Sequence, residues 1–168
     1  MTPAVVLLAA VTAERLGELW LARRNTSALL ARGAFEAAPG HYPLIVLLHA
    51  TWLAGLWRWG WDRPLEPWWL AVFLTLQAVR VWVLMTLGPR WTTRIIVLPG
   101  VPLVTAGPYR FVSHPNYLVV VGEIAVLPLC LGLPWFALLY SAANLAVLAV
   151  RVRAENASWA AQDGAANR

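Results

Sequence analysis

Lysine is missing from this chain altogether: all 13 of its basic residues are arginines, set against 8 acidic ones. The arginines are spread among the ends of apolar segments and form no patch, so the net charge of +5 is not the footprint of a nucleic-acid binder. Cysteine is nearly absent as well. The single Cys130 lies inside an apolar run, which excludes a disulfide framework and a thiol metal site and leaves packing as its role. No other metal site is expected. Charge is scarce, at 12% of residues. The first residues carry no basic region and their apolar run is interrupted by Glu14 and Glu18, so a cleavable signal peptide is not expected. What remains is apolar: 60% of the 168 residues are hydrophobic and the mean hydropathy is +0.63. A domain of this size cannot hide that much apolar surface within itself, so lipid is its expected solvent.

Five apolar segments stand out, at 3–21, 43–59, 67–87, 115–131 and 134–151. Each opens with a proline, whose missing N–H would be unpaired in a first helical turn anyway. Gly60, Gly88 and Gly132 follow the second, third and fourth segments, as helix stops do. Roughly 20 residues at ~1.5 Å each cross a bilayer core. The expected fold is therefore an all-α integral membrane protein with five transmembrane helices. The last two are shorter and are joined by the tight Gly132-Leu133 turn, so they read as a helical hairpin, with Pro128 a kink. No internal repeat or low-complexity linker divides the chain, and a single domain over 1–168 is expected.

Arginine placement sets an orientation. With the N-terminus outside, Arg23, Arg24, Arg32, Arg90, Arg94, Arg110, Arg151, Arg153 and Arg168 fall on the cytoplasmic side and only Arg58 and Arg63 outside, a positive-inside pattern. Trp57, Trp59, Trp61, Trp68, Trp69 and Trp135 then gather near the outer interface as an aromatic belt. A plasma-membrane protein with a cytoplasmic C-terminus follows. The loop 88–114 is long, and its run 93–105 holds two β-branched stretches around Pro99-Gly100, the pattern of a short hairpin.

Polar residues interrupt the apolar segments at a common depth. Glu14 lies seven residues before Leu21, His49 six after Pro43, Arg80 seven before Leu87, Glu123 eight after Pro115 and Asn144 seven before Arg151. At ~1.5 Å per residue all five sit about 9–12 Å below the cytoplasmic face. Ionisable groups at such depth face a bundle interior or a wet cavity. Helix packing is the commoner role for His49 and Asn144, and Arg15 and Glu18 read as structural charges that snorkel or pair with loop charges. Arg80 has no acidic residue within a turn, and Glu123 is flanked by valine and isoleucine on both sides. Both are candidate catalytic residues, with an Arg80–Glu123 structural ion pair as the alternative. His49 and Glu14 join Arg80 as candidate acceptor-binding groups.

The densest chemistry lies just before the fourth segment. The run Gly107-Pro-Tyr-Arg-Phe-Val-Ser-His-Pro-Asn-Tyr-Leu resembles the GxYxxxRHPxYxG signature of the isoprenylcysteine carboxyl methyltransferase family. Arg151-Val-Arg-Ala-Glu-Asn156 is similar to that family's terminal RxRxEE element, and Arg80 followed by Gly88 resembles its arginine on the helix entering the cytosolic loop. The stretch from Ala22-Arg-Arg-Asn-Thr26 to His41-Tyr-Pro43 also resembles a bacterial subgroup. The resemblance implies a multi-span enzyme that transfers a methyl group from S-adenosylmethionine, entering from the cytosol, to a lipophilic acceptor entering from the bilayer. It implies that Tyr109, His114, Tyr117, Arg151 and Glu155 hold the cofactor, within a portion spanning about 88–160, and that Arg80 serves the acceptor. Three positions depart from the family pattern. Ser113 replaces an arginine, Val119 a glycine and Asn156 a second glutamate.

The residues agree with that chemistry on their own terms. Methyl transfer from a sulfonium needs alignment more than acid–base power, in a dry cavity with fixed dipoles. An arginine at the depth of Arg80 suits an anionic carboxylate, enol or phenol oxygen, whereas Glu123 would accept the proton of a neutral hydroxyl. Isoprenoid acids and polyketide-derived lipids such as alkylpyrones are acceptors of this kind. No Gly-rich dinucleotide fingerprint is present. Two other readings stand beside this one. A nicotinamide-dependent sterol-type reductase shares the His-Pro-Asn-Tyr element, but Leu118-Val-Val replaces its Gly-Asp and the chain has no lysine for its tail. A non-enzymatic membrane scaffold would use the polar layer for packing alone.

Overall fold

The computed structural model describes residues 2–166, with the side chains of residue 154 and of residues from 156 onward outside the description. The departure at Asn156 and the cytoplasmic placement of Arg168 therefore lie outside the described residues.

Among the described residues are five α-helices: α1 (Pro3–Leu30), α2 (Tyr42–Gly60), α3 (Pro67–Leu87), α4 (Pro115–Cys130) and α5 (Pro134–Ala166). Prolines open α1, α3, α4 and α5, and Pro43 sits in the first turn of α2. Thr2 caps α1 by accepting the Val5 N–H at 3.3 Å. Two helices outrun their apolar segments. α1 continues past Leu21 because no Gly or Pro interrupts 22–30 and because its buried stripe does not stop there. Ala4, Leu8, Val11, Glu18, Ala22, Asn25 and Leu29 are its buried residues, with steps of three, four and seven that keep one face inward. α5 likewise runs through Arg151 to Ala166 as one helix. The α3 stretch Pro67–Arg90 and the α5 stretch Pro134–Arg153 are long and apolar enough to cross a membrane, and α4 is a shorter apolar helix.

α4 and α5 form the anticipated hairpin. Gly132 adopts φ +64°, and the Pro128 carbonyl accepts from both Leu131 (3.1 Å) and Leu133 (2.9 Å). Pro128 stands in the last turn of α4 and closes the helix there. α4 packs chiefly against α3 on one side and α5 on the other.

The long loop differs from its expected hairpin. Its Pro99-Gly100 turn is present, with Gly100 at φ +74° and the Leu98 carbonyl accepting from Val101. The strand partner, however, comes from elsewhere. β1 (Phe35–Glu36), in the loop after α1, pairs antiparallel with β2 (Ile96–Val97), Phe35 opposite Val97. The residues after the turn are engaged otherwise, since Arg90 Nη1 donates to the Pro102 carbonyl at 2.7 Å. Ala37, Ile95 and Val97 form a small core beneath this ribbon, and Arg94 pairs with Glu36 at 2.7 Å across it.

Apolar packing is strongest at the opposite end of the bundle. Leu8, Trp52, Leu56, Phe73, Ile124, Leu127, Cys130 and Leu131 belong to one buried cluster. Trp57 and Trp69 lean on that cluster, while Trp59, Trp61, Trp68 and Trp135 expose half or more of their surface. Two helices touch closely at Gly55, where an added Cβ would stand 2.5 Å from the Phe136 ring. That ring is itself held between Trp59 and Tyr140 and cannot step aside. Gly55→Leu is expected to cost about 1–3 kcal/mol through overpacking, read as a lower thermal midpoint in detergent. An unchanged midpoint would mean that α2 and α5 do not meet here.

Candidate functional site

The run from Gly107 to Tyr117 is a 3-10 turn (Gly107–Arg110) leading into the first turn of α4. Gly107 is required at its start. Its φ is +56°, and a Cβ there would lie 2.5 Å from Thr86 Oγ1 on α3, so the loop presses directly against the helix. His114 precedes Pro115 at the head of α4, and its ring stacks on Tyr117 one turn later, with centroids 4.9 Å apart and planes 10° from parallel. The Tyr117 hydroxyl donates to Glu155 and accepts from Arg151 Nε at 2.9 Å. Arg151 Nη1 reaches on to the Thr93 carbonyl at 2.9 Å. α4, α5 and the long loop are thereby locked together through one phenol. Asn25 of α1 holds the same loop from below, donating to the carbonyls of Trp91 (2.9 Å) and Gly88 (3.2 Å).

Between these elements and the loop lies a chamber of about 590 Å³. Tyr109, His114, Tyr117, Arg151 and Glu155 all line it, so the five residues assigned to the cofactor by motif surround one space, with Ser113 among them. Tyr109 is pushed up to about 12, first by burial and then by the Glu155 carboxylate.

A second cavity, of about 330 Å³, lies deeper, among the helices. Arg15, Glu18, His49, Arg80, Asn144 and Arg151 are among its polar lining residues, and Leu16, Leu19, Val46 and Leu53 are among its apolar walls. Trp91, Thr92, Asn116, Tyr117 and Arg151 line both spaces. The two cavities thus share a wall.

Behind the inner cavity stands a cluster of two arginines and three glutamates. Arg15 Nη2 lies 3.2 Å from Glu123 and 3.4 Å from Glu14, and its Nη1 lies 3.2 Å from Glu18. Arg80 Nη2 lies 3.4 Å from Glu123, and its Nε lies 2.7 Å from Glu18 and 3.7 Å from Glu14. The Glu18 contact is an ion pair by proximity, without an aligned hydrogen bond. Arg80 and Glu123 do pair, as one of several contacts. Glu14 and Glu123 line neither cavity; Glu14 is held by Gln77 Nε2 at 2.8 Å. Arg80 Nη1 and Asn144 Nδ2, on side chains only 3–4% exposed, find no hydrogen-bond partner among the described residues, and both side chains line the inner cavity.

Arg15, Glu18, Asn116, Trp91 and Thr92 were not singled out for this site from the sequence. For Arg15 and Glu18 the signal was available: position 15 continues the steps of three and four that run from Leu8 and Val11 to Glu18 and Ala22. The wall residues Trp91 and Thr92 carry no such periodicity, because they reach the site from a loop.

A family model described as the isoprenylcysteine carboxyl methyltransferase (ICMT) family matches residues 69–161. The chain belongs to that family. ICMT-family proteins are membrane methyltransferases that use S-adenosylmethionine, which makes the chain a membrane methyltransferase by descent. It is 39% identical over 156 residues to YpbQ, an uncharacterized protein of Bacillus subtilis, covering 90% of this chain and 93% of that relative. It is 25% identical over 160 residues to an uncharacterized protein of Haemophilus influenzae, covering 91% and 92%. No solved structure matches. The ICMT match contains α3 through the outer chamber and Glu155, whereas Arg15, Glu18 and His49 precede it.

The ion cluster and Tyr109 each yield a prediction. Three carboxylates face two guanidiniums, so loss of a cation should harm more than loss of an anion. Arg80→Gln is expected to destabilise by about 3–5 kcal/mol, the usual penalty for breaking a buried ion pair, and to melt well below Glu123→Gln; the reverse order would contradict the geometry. For Tyr109, a folded-state value raised above the ordinary 10 means that its contribution is complete below about pH 10 and is lost as pH climbs towards 12. Tyr109→Phe should therefore flatten the decline of the thermal midpoint across that range, and an equally steep decline would argue against its burial.

Proposed function

We propose that this protein spans the membrane with five helices, N-terminus outside, and transfers a methyl group from S-adenosylmethionine to the oxygen of a lipophilic acceptor. The acceptor is a carboxylate or an enol or phenol hydroxyl, as in an isoprenoid acid or an alkylpyrone-like lipid. The observation that carries this reading is the shared wall: a polar loop-side chamber and an apolar cavity within the bundle meet at Asn116, Tyr117 and Arg151.

The outer chamber's residues fit the cofactor. Glu155 offers a carboxylate for an ammonium group, Arg151 a guanidinium for a carboxylate, and the stacked His114 and Tyr117 rings an aromatic face. Asn116 Oδ1 and Trp91 Nε1, which find no partner among the described residues, add an acceptor and a donor where the chambers join. Bound there, S-adenosylmethionine supplies an activated methyl group on a sulfonium. Tyr117, fixed by both Arg151 and Glu155, keeps α4 and α5 aligned for an in-line approach. Arg80 Nη1 and Asn144 Nδ2 are free to donate to an acceptor oxygen. Leu16, Leu19, Val46 and Leu53 receive its hydrocarbon and exclude water.

Binding in detergent separates the alternatives. S-adenosylmethionine should bind saturably and NADPH should not; the opposite preference would favour the reductase, and binding of neither would favour a scaffold. Within the methyltransferase reading, His114→Ala should weaken S-adenosylmethionine about tenfold or more, roughly the loss of one good aromatic contact. Arg80→Gln, assayed below its melting point, should lose turnover and keep that affinity within about twofold. Loss of cofactor affinity in Arg80→Gln alone would refute this division of labour.

A further inference from the structure

Three consecutive loop residues, Trp91, Thr92 and Thr93, are gripped by side chains from three helices. Asn25 of α1 donates to the Trp91 carbonyl at 2.9 Å, and Trp91 is buried in one cluster with Ala22 and Val83. Two residues on, Thr93 is held twice. Its carbonyl accepts from Arg151 Nη1 of α5 at 2.9 Å, and its hydroxyl hydrogen-bonds the Tyr42 hydroxyl of α2 at 3.2 Å. The Arg94 guanidinium lies over the Tyr42 ring, 4.4 Å from its centroid, and Arg94 pairs with Glu36 of β1 at 2.7 Å. A continuous path of contacts therefore runs from the β-ribbon through Tyr42 and Thr93 to Arg151. At its end stands a cation that lines both chambers. Both holds on Arg151, the Thr93 carbonyl and the Tyr117 hydroxyl, are neutral oxygens. The Glu155 carboxylate is engaged by Tyr117 instead, and among the described residues no carboxylate lies within ion-pairing distance of Arg151. The guanidinium is thus fixed in place without a direct counter-ion, which suits it to an anionic ligand group.

We propose that Tyr42 is a positioning residue for the methyl donor: acting through Thr93, it sets where the Arg151 guanidinium meets the donor's carboxylate. The inference rests on the two-chamber methyltransferase reading above, in which Arg151 takes that carboxylate. Tyr42 lines the inner cavity and not the outer chamber, so its influence on a donor bound in the outer chamber has to pass through the loop. With Trp91 pinned by Asn25, Tyr42 and Arg151 are the side chains that fix the other end of the segment. When the Tyr42 hydroxyl is lost, the Thr93 carbonyl is left to follow Arg151 rather than restrain it. Recognition of a carboxylate by a guanidinium depends on alignment and is sensitive to such a displacement. Tyr42 also precedes the portion that the family model matches, so α2 contributes to the donor side a support that the matched elements lack.

The test compares two ligands that differ in that carboxylate alone, S-adenosylmethionine and its decarboxylated form. Their binding to the detergent-purified protein is measured by calorimetry with no acceptor present. Tyr42→Phe removes the hydroxyl and keeps the ring beneath Arg94. It is expected to weaken S-adenosylmethionine about three- to tenfold, the loss of one hydrogen bond, and to bind the decarboxylated form within about twofold of the wild type. Thr93→Val, which deletes the other hydroxyl of the same bond, should behave alike, and the double variant should be no weaker than either single one. Arg151→Gln should abolish the preference for the carboxylate, and adding Tyr42→Phe to it should change nothing further. Equal weakening of both ligands in Tyr42→Phe would overturn the proposal in favour of simple packing. Unchanged affinity for S-adenosylmethionine would overturn it too, and would leave Tyr42 as a wall of the inner cavity only. A wild type that binds both ligands equally would remove the role of Arg151, and the inference with it, while the chamber stands. Binding of neither ligand would remove the two-chamber reading itself.

Discussion

Two arginines and three glutamates hold one another in the interior of the helix bundle, and the rest of the molecule is arranged around that contact. Isolated, each charge would be costly to bury. Together, every guanidinium has carboxylates on more than one side, and three separate helices are obliged to converge to supply them. α1 brings Glu14, Arg15 and Glu18, α3 brings Arg80, and α4 brings Glu123. A large apolar cluster packs one end of the bundle, and a smaller one around Ala22, Val83 and Trp91 packs the other. The inner cavity opens beside the ion cluster because α2 and α5 close around polar groups there rather than around a continuous apolar core.

This arrangement explains why the polar chemistry divides into two chambers. Loop residues and the ends of α4 and α5 build the outer one, tied down through Tyr117 and pressed on α3 at Gly107. The inner one needs α1 and α2. The portion matched by the ICMT family model carries the outer chamber and Arg80, but Arg15, Glu18 and His49 lie before it. The inner cavity draws on the matched portion as well, through Arg80, Val120, Asn144 and Arg151, while α1 and α2 supply its other walls.

The helices were legible in the sequence because proline starts and glycine stops have direct local causes. So were the outer-chamber residues, which one contiguous motif and one terminal element bring together. The depth count that grouped Glu14, His49, Arg80, Glu123 and Asn144 also reflects real convergence, since counting along regular helices measures distance well. It did not foresee the partners of Arg15 and Glu18, which pair with each other and with Glu123 and Arg80 on neighbouring helices rather than with loop charges. The pairing of Phe35–Glu36 with Ile96–Val97 was not legible at all. Two-residue strands from distant loops carry no periodicity, and a Pro-Gly turn nearby offers a more local partner that tertiary packing overrides.

The most direct measurement is an experimental structure of the protein in lipid with the demethylated donor, S-adenosylhomocysteine, bound. The account predicts ligand density in the loop-side chamber, between Tyr109 and Glu155 and against the His114–Tyr117 stack, with its sulfur directed at the wall formed by Asn116 and Tyr117. Density in the inner cavity, among His49, Arg80 and Asn144, would contradict the separation of donor from acceptor on which the account depends.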